Sequence, residues 1–545
     1  MMTATKTEAP AGRGWSDEQN RIFDWFETGI APSVVGGVPT LDRVPNLIVR
    51  ARAGTGKTTT VIEGVRRAPE ARILLAAFNK NIANELQARC GGDGGRGSRV
   101  EARTLHGLGF RYIGRARPGV RVDEDGSRPM GLAERACGKD APVQIVRLVR
   151  DLHSKVREID PLCVNDRDAR GVYDVASRFD LLPEEDWEAR GWGERAVCDA
   201  AHRAMRFAME PAPTIDYPDM IFLPIVMRWV RPWYDLVVVD EAQDMTLPQL
   251  TIAVGACRRG GRIAVVGDDR QAIYGFRGAD SGSLDRLKAE LRAAELGLTT
   301  TYRCCRRVVD LSRRIVPDYQ AATGAPDGEV ATMSADDMAA KVAEGDFVLS
   351  RKNAPLVRTC LRILKRGVRA NVRGRDIGKG IVALVRKLAA ASPADLVEKA
   401  AAWAEHETAL AFEKLDEEAA AAKAGEVADR RAVVEALCED AADLAEVERR
   451  CDVLFSDTPD LRAVMLSTVH RAKGLEADTV YILASTMKEL GDLLLPEPTP
   501  VVQPDGATAA GPSTAPRTGE EQNILYVAIT RAKTRLVWAM GELSL

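Results

Sequence analysis

The sequence predicts an α/β protein built on two parallel-sheet cores, and three observations carry that prediction. Short apolar runs rich in β-branched residues recur, each followed by turn residues and a helical pattern. The runs are apolar throughout, as strands covered on both faces are, and do not alternate as half-solvated strands do. They also fall into an early and a late set, which gives two cores.

The early set is "NLIVRA" at 46–51, "RILLAAF" at 72–78, "DLVVVDEAQD" at 235–244 and "RIAVVGDD" at 262–269. The late set is "DFVLSR" at 346–351, "AVMLSTVH" at 463–470, "TVYILA" at 479–484 and "RLVWAM" at 535–540. Two long segments interrupt them. Residues 111–225 hold charged helical stretches and tryptophans but no comparable strand series. Residues 379–460 are alanine-rich, and "EEAAAAKAGEVADRRAVVEALCEDAADLAEVERR" reads as exposed amphipathic helix. The expected order is a disordered tail at 1–14, then a first core at 15–110 and 226–300 around a helical insertion at 111–225. A second core follows at 301–378 and 461–545, around a helical insertion at 379–460. The Pro/Gly/Thr-rich stretch at 496–520 reads as a mobile loop.

A chain of 545 residues is too long for one core, and 46% hydrophobic with 28% charged residues fits a globular protein in water. No apolar run approaches the ~20 residues of a membrane span. The amino terminus lacks the apolar segment of a signal peptide, so the expected location is cytoplasmic, with no membrane partner. The ten cysteines show no C-x-x-C pairing, which points to reduced thiols and away from zinc or iron–sulfur sites. A net charge of −3 excludes bulk basicity, so any nucleic-acid contact must come from local patches.

The stretch "ARAGTGKTTT" at 51–60 lies between an expected strand and an expected helix, the setting that a phosphate-cradling loop requires. Ala51 stands where the usual pattern begins with glycine, a position that needs only a small residue. Backbone N–H groups from Gly54, Thr55, Gly56, Lys57 and Thr58 can face phosphate oxygens, with Thr59 next in line. Lys57 would reach the β- and γ-phosphates, and the Thr58 hydroxyl would ligate Mg²⁺. The bland alternative is an ordinary strand–loop–helix turn. "VVVDEAQD" adds two carboxylates at a strand's C-terminal end. Asp240 is suited to Mg²⁺, and Glu241 to activating the attacking water. Together these features point to ATP hydrolysis.

"DEAQD", "GDDRQAIYGFRGA", "TYR", "HRAKGLE" and "YVAITRAK" follow in this order, and with Gln19 the matching residues run from 19 to 533. In these motifs the chain resembles superfamily 1 helicases of the UvrD/Rep/PcrA type. The resemblance implies two RecA-like cores of the P-loop NTPase kind, with ATP and Mg²⁺ held in the cleft between them. It implies that Gln19 reads adenine, Tyr302 stacks on the base and Glu476 binds the ribose. Gln271 would couple the γ-phosphate to the DNA site, Arg303 and Arg531 would act as arginine fingers, and Arg277 would reinforce the interface between cores.

For single-stranded DNA the resemblance implies contacts from Phe78, Asn79, Lys80, Thr104, His106, Tyr274, Phe276 and His470. Leu105 stands where relatives usually carry phenylalanine, and "FNKNIA" shifts the lysine by one position. The basic cluster at 364–380 either tracks phosphates or is a solvated helix–turn. The insertion at 379–460 is short for the family, and with the last motif a few residues from the end of the sequence no fused nuclease is expected.

The expected function is therefore an ATP-dependent 3′→5′ DNA helicase acting on single strands and single–double-strand junctions, with an accessory repair or replication protein as a further partner. The alternatives are a translocase that displaces proteins or needs a partner to unwind, and a nucleotide-binding regulatory module.

Overall fold

The computed structural model describes residues 14–29, 31–35, 38–42, 46–90, 98–179, 181–183, 185–273, 282–414, 417–455, 462–487 and 519–541. The expected tail up to residue 13, Tyr274, Phe276 and Arg277 lie outside these residues, as does the expected loop up to residue 518. The chain forms two units: Met1–Ala51 with Gly56–Leu298, and Thr299–Leu545 with the four residues Arg52–Thr55.

The first unit is built on β1 (Asn46–Ala51), β2 (Ile73–Ala77), β3 (Val100–Thr104), β4 (Tyr234–Val239), β5 (Cys257–Gly267) and β6 (Ala294–Leu298). They form one six-stranded sheet in the order β6-β1-β5-β4-β2-β3, with every pair parallel. Successive side chains of a strand point to opposite faces, and here both faces are apolar. Ile73, Leu75, Leu236 and Val238 pack with Trp25 and Val61 on one side. Leu74, Ala76, Val237 and Val239 pack with Leu105 and Leu250 on the other. That two-sided burial is why these segments read as unbroken apolar runs.

The first helix, Asp17–Thr28, starts at a capping box in which Ser16 Oγ accepts the Gln19 N–H and Gln19 Oε1 accepts the Ser16 N–H. It stops at Gly29, whose φ of 71° suits a residue without Cβ.

Inside the first insertion, the helices Ser127–Cys137, Val143–Ile159, Arg170–Arg178, Glu194–Ala208 and Asp219–Val226 surround an apolar core of their own. That core also holds buried charges. Arg157 donates to Asp216 at 2.8 and 2.9 Å and to Asp219 at 2.6 Å, and Arg128 Nε donates to Asp219 at 2.7 Å. A short parallel strand pair, Arg121–Val122 with Thr214–Ile215, closes the base of this region. Two-residue strands leave no sequence signature, which is why none is expected there.

The second unit repeats the plan with β7 (Glu329–Ser334), β8 (Phe347–Ser350), β9 (Ala370–Val372), β10 (Val464–Thr468), β11 (Ala477–Leu483) and β12 (Ala532–Met540). Their order is β7-β12-β11-β8-β10-β9, again all parallel. The alanine-rich run at 417–450, expected as exposed helix, is two helices, Glu417–Cys438 and Leu444–Leu454, the second capped by Asp443. Its inner face is not exposed: Val433, Val434 and Leu437 are buried in the same core as Leu356 and Cys360. The basic cluster at 364–380 spans a helix end, β9 and the start of the helix Arg375–Leu388. Lys365 pairs with Asp440 at 2.8 Å and Arg369 with Glu344 at 3.3 Å, so part of its charge is already met. All ten cysteines are free thiols. Among the described residues, no helix is long and apolar enough to cross a membrane.

Candidate active site

In the first unit the helix Lys57–Arg67 begins at Gly56, with φ of 83° and no side chain capping the helix. The first N–H groups of this helix are therefore open to an anion. Lys57 Nζ lies 3.3 Å from Glu241 Oε2. Burial alone would lower the lysine's pKa, but Glu241, Asp268 and Asp240 together hold it raised. Asp240 and Glu241 sit where β4 ends, and Asp268 sits where β5 ends. Burial, reinforced by the neighbouring Glu241 carboxylate, pushes Asp240 up to about 7. Glu241 has a φ of 54°, a left-handed conformation rare for a residue with a Cβ.

A chain of hydrogen bonds extends from this pair. Gln243 Nε2 donates to Glu241 at 2.6 Å, Gln243 Oε1 accepts the Asp268 N–H at 3.0 Å, and Gln271 Nε2 donates to Asp268 at 2.6 Å. Lys57, Asp240, Glu241 and Gln271, chosen from sequence, thus meet in one network. Gln243 and Asp268 complete it and were not singled out, although both stand inside quoted motifs. Gln19 lies nearby in the same unit, donating from Nε2 to Thr60 Oγ1 at 3.0 Å. Thr58 is half-buried, and Thr59 Oγ1 accepts from Arg89 at 3.4 Å.

The leading half of the loop, Arg52–Thr55, belongs with the second unit. Two buried tyrosines bracket Ala53: the Tyr319 hydroxyl donates to its carbonyl at 2.9 Å, and the Tyr526 hydroxyl accepts its N–H at 3.0 Å. Thr55 Oγ1 donates to the Arg52 carbonyl at 2.9 Å, and Gly54 O accepts the Tyr302 N–H at 2.9 Å. A Cβ on Gly54 would stand 2.5 Å from Arg303 Cβ, and its φ is 69°, so only glycine fits.

Tyr302 is 41% exposed and presents an open ring. Arg303 pairs with Glu476 at 2.5 Å, and Lys533 pairs with the same carboxylate at 3.0 Å. Burial works against ionisation of Glu476, but Arg303 and Lys533 outweigh it and hold its pKa below the usual range. Arg531 is buried and bonded to uncharged oxygens: the carbonyls of Val527 and Leu475 and the Thr530 hydroxyl, at 2.9 to 3.2 Å. Burial and the neighbouring Arg303 charge bring its pKa down to about 10.

Residues expected on the nucleic-acid path divide by local role. Phe78 is half-buried after β2, and Lys80 is exposed. Asn79 and Thr104 are helix caps, accepting from the N–H groups of Ile82 and Gly107 at 2.9 and 3.1 Å. Leu105 is core. His106 is half-buried, and burial lowers its pKa. Its ring lies 6.3 Å from that of Tyr217, which is 65% exposed. Gly109 permits this meeting, because a Cβ there would strike the Met220 carbonyl of the helix that follows Tyr217. Tyr217 was missed from sequence; its signal was an aromatic between two carboxylates and a proline in "IDYPDM". His470 is half-buried just after β10.

The family model for the UvrD/REP helicase N-terminal domain matches residues 43–292, and that for the UvrD-like helicase C-terminal domain matches residues 439–541. The chain belongs to the UvrD-like family of ATP-dependent DNA helicases. It is 25% identical over 292 residues to the ATP-dependent DNA helicase PcrA of Leuconostoc citreum, covering 50% of this chain and 37% of that protein. With the ATP-dependent DNA helicase UvrD2 of Mycobacterium tuberculosis it shares 25% over 581 aligned residues, 91% of this chain and 76% of the relative. With DNA helicase II of Escherichia coli it shares 22% over 297 residues, 51% of this chain and 39% of that protein. The two cores are thus those of a UvrD-like helicase.

Proposed function

We propose that this chain hydrolyses ATP to move 3′→5′ along single-stranded DNA and to separate the duplex ahead of it. The network of Lys57, Asp240, Glu241, Gln243, Asp268 and Gln271 carries this reading. A module that only binds nucleotide needs a phosphate cradle, and it has no use for a carboxylate held in a strained backbone and hydrogen-bonded onward to a glutamine.

The residues fit MgATP. The uncapped helix start at Gly56 suits phosphate, and the buried Asp240 carboxyl with Thr58 supplies the hard oxygen donors that Mg²⁺ takes. Mg²⁺ would neutralise charge on the transferring phosphoryl group. Lys57 exchanges its contact with Glu241 for the phosphates, which frees Glu241 to orient and deprotonate the attacking water. Arg303 and Arg531 meet the charge that develops on the phosphoryl oxygens. Gln271 reports the γ-phosphate through Asp268 and Gln243. Gln19 and Tyr302 would hold the base. His106, Tyr217, Phe78, Lys80 and His470 would hold the strand by stacking and phosphate contact.

The test is ATP hydrolysis with and without single-stranded DNA, with Lys57→Ala as control. Stimulation in the wild type alone supports the motor. Flat, DNA-independent rates remove it and favour the regulatory module. Stimulated hydrolysis with no strand separation on a 3′-overhang duplex assigns the chain to the translocases.

A further inference from the structure

Arg52 places a long cationic side chain inside the phosphate loop, yet that side chain is bound to Asp318. Its Nε lies 3.0 Å from both carboxylate oxygens and its Nη2 2.9 Å from one of them, a two-point contact of the kind guanidinium groups make best. The Arg52 side chain is 8% exposed and that of Asp318 46%. The residue after Asp318 is Tyr319, whose hydroxyl holds the Ala53 carbonyl. Two successive residues therefore grip two successive loop residues, one through a side chain and one through the backbone.

The same segment continues into Gln320–Ala321, which pairs in parallel with Thr300–Thr301, immediately before Tyr302 and Arg303. One small frame thus fixes the loop at Arg52–Gly54 and also sets where Tyr302 and Arg303 begin. The other end of the frame returns to the loop at Gly54, whose carbonyl accepts the Tyr302 N–H.

We propose that Arg52 and Asp318 are positioning residues of the nucleotide site: their ion pair holds the leading half of the phosphate loop in register with Tyr302 and Arg303. This rests on the nucleotide site proposed above. The pair touches no reacting atom, so its effect falls on how well the site is formed before nucleotide arrives, which is affinity. An ion pair whose carboxylate is open to water adds little to global stability, so affinity and melting temperature should separate.

The experiment uses the full chain. Affinity for a fluorescent ADP analogue without DNA, KM and kcat for ATP with single-stranded DNA, and melting temperature are measured for four variants. These are Arg52→Met, Asp318→Asn, both together, and the exchange Arg52→Asp with Asp318→Arg. Each single change should weaken analogue binding and raise KM roughly tenfold, with Tm within about 2 °C of wild type. The double variant should be no weaker than either single, and the exchange should recover part of the loss. Unchanged affinity in both singles overturns the proposal, as does a double variant whose loss is the product of the two. A wild type that binds the analogue but shows no DNA-stimulated turnover would sink the motor reading and leave the test of the pair intact.

Discussion

Two buried cations of this protein are kept in opposite ways. Lys57, in the first unit, has its charge balanced by Glu241, with Asp240 and Asp268 close by. Arg531, in the second, is bonded to neutral oxygens, and among the described residues no carboxylate pairs with it. Under the function proposed above, the difference separates the roles assigned to each when phosphate arrives. Lys57 changes partners, giving up one anion for another. On the same reading Arg531, whose pKa is lowered by burial and by the neighbouring Arg303 charge, takes its counter-charge from the phosphate.

The largest effect that follows is on turnover. Arg531→Met should cut kcat on the order of 10⁴-fold, as loss of an arginine finger does; a variant within tenfold of wild type would break the comparison. Glu241→Gln should cost about 10³-fold in kcat while leaving analogue binding near the wild-type value, as the loss of a general base does. Stability sharpens the contrast. Lys57→Met leaves a buried cluster of carboxylates without its cation and should lower Tm by about 5 °C or more. Arg531→Met removes a charge bonded to neutral oxygens and should lower Tm by less than half as much. Equal losses would mean that the two cations are held alike.

A smaller effect tests the nucleic-acid path. Tyr217→Ala should weaken single-stranded DNA binding about tenfold, the range for loss of one stacking platform, without altering DNA-independent nucleotide affinity.

A further prediction concerns a buried histidine in the first insertion. His153 donates from Nε2 to the Pro129 carbonyl at 3.0 Å, and burial, helped by the Arg157 charge, brings its pKa down from 6.5 to about 3. A base whose pKa is depressed by folding stabilises the fold fully above its unfolded value, and that stability is lost as pH falls through the folded value. Unfolding free energy should therefore decline between about pH 6.5 and pH 3, and His153→Gln should flatten that decline in a denaturation series.

The eight strands expected from sequence are those buried on both faces, whose residues had no choice but to be apolar. Within the two six-stranded sheets, four strands were not expected: "VEART", "AELGL", "EVATMS" and "ANV". All four stand at or beside the edge of their sheet, β3, β6, β7 and β9, where a strand has one neighbour and part of one face open, so no apolar run marks it. The same limit applies to the site. Lys57, Asp240 and Glu241 declare themselves because their chemistry is local to short motifs. Tyr217 needed the fold to bring it to His106, and Asp318 needed a chain separation of 266 residues to close on Arg52.

That kind of separation also sets an order of events during synthesis. The Ala53 peptide is clamped by a hydroxyl that lies 473 residues later in the chain. At the ribosome's pace of ~5–20 residues per second, roughly half a minute to a minute and a half passes between the two. The first sheet can collapse as soon as its own strands have emerged, but the loop's leading half waits for Tyr526. The clamp on the loop's leading half is therefore completed late in translation, after most of the chain has been made.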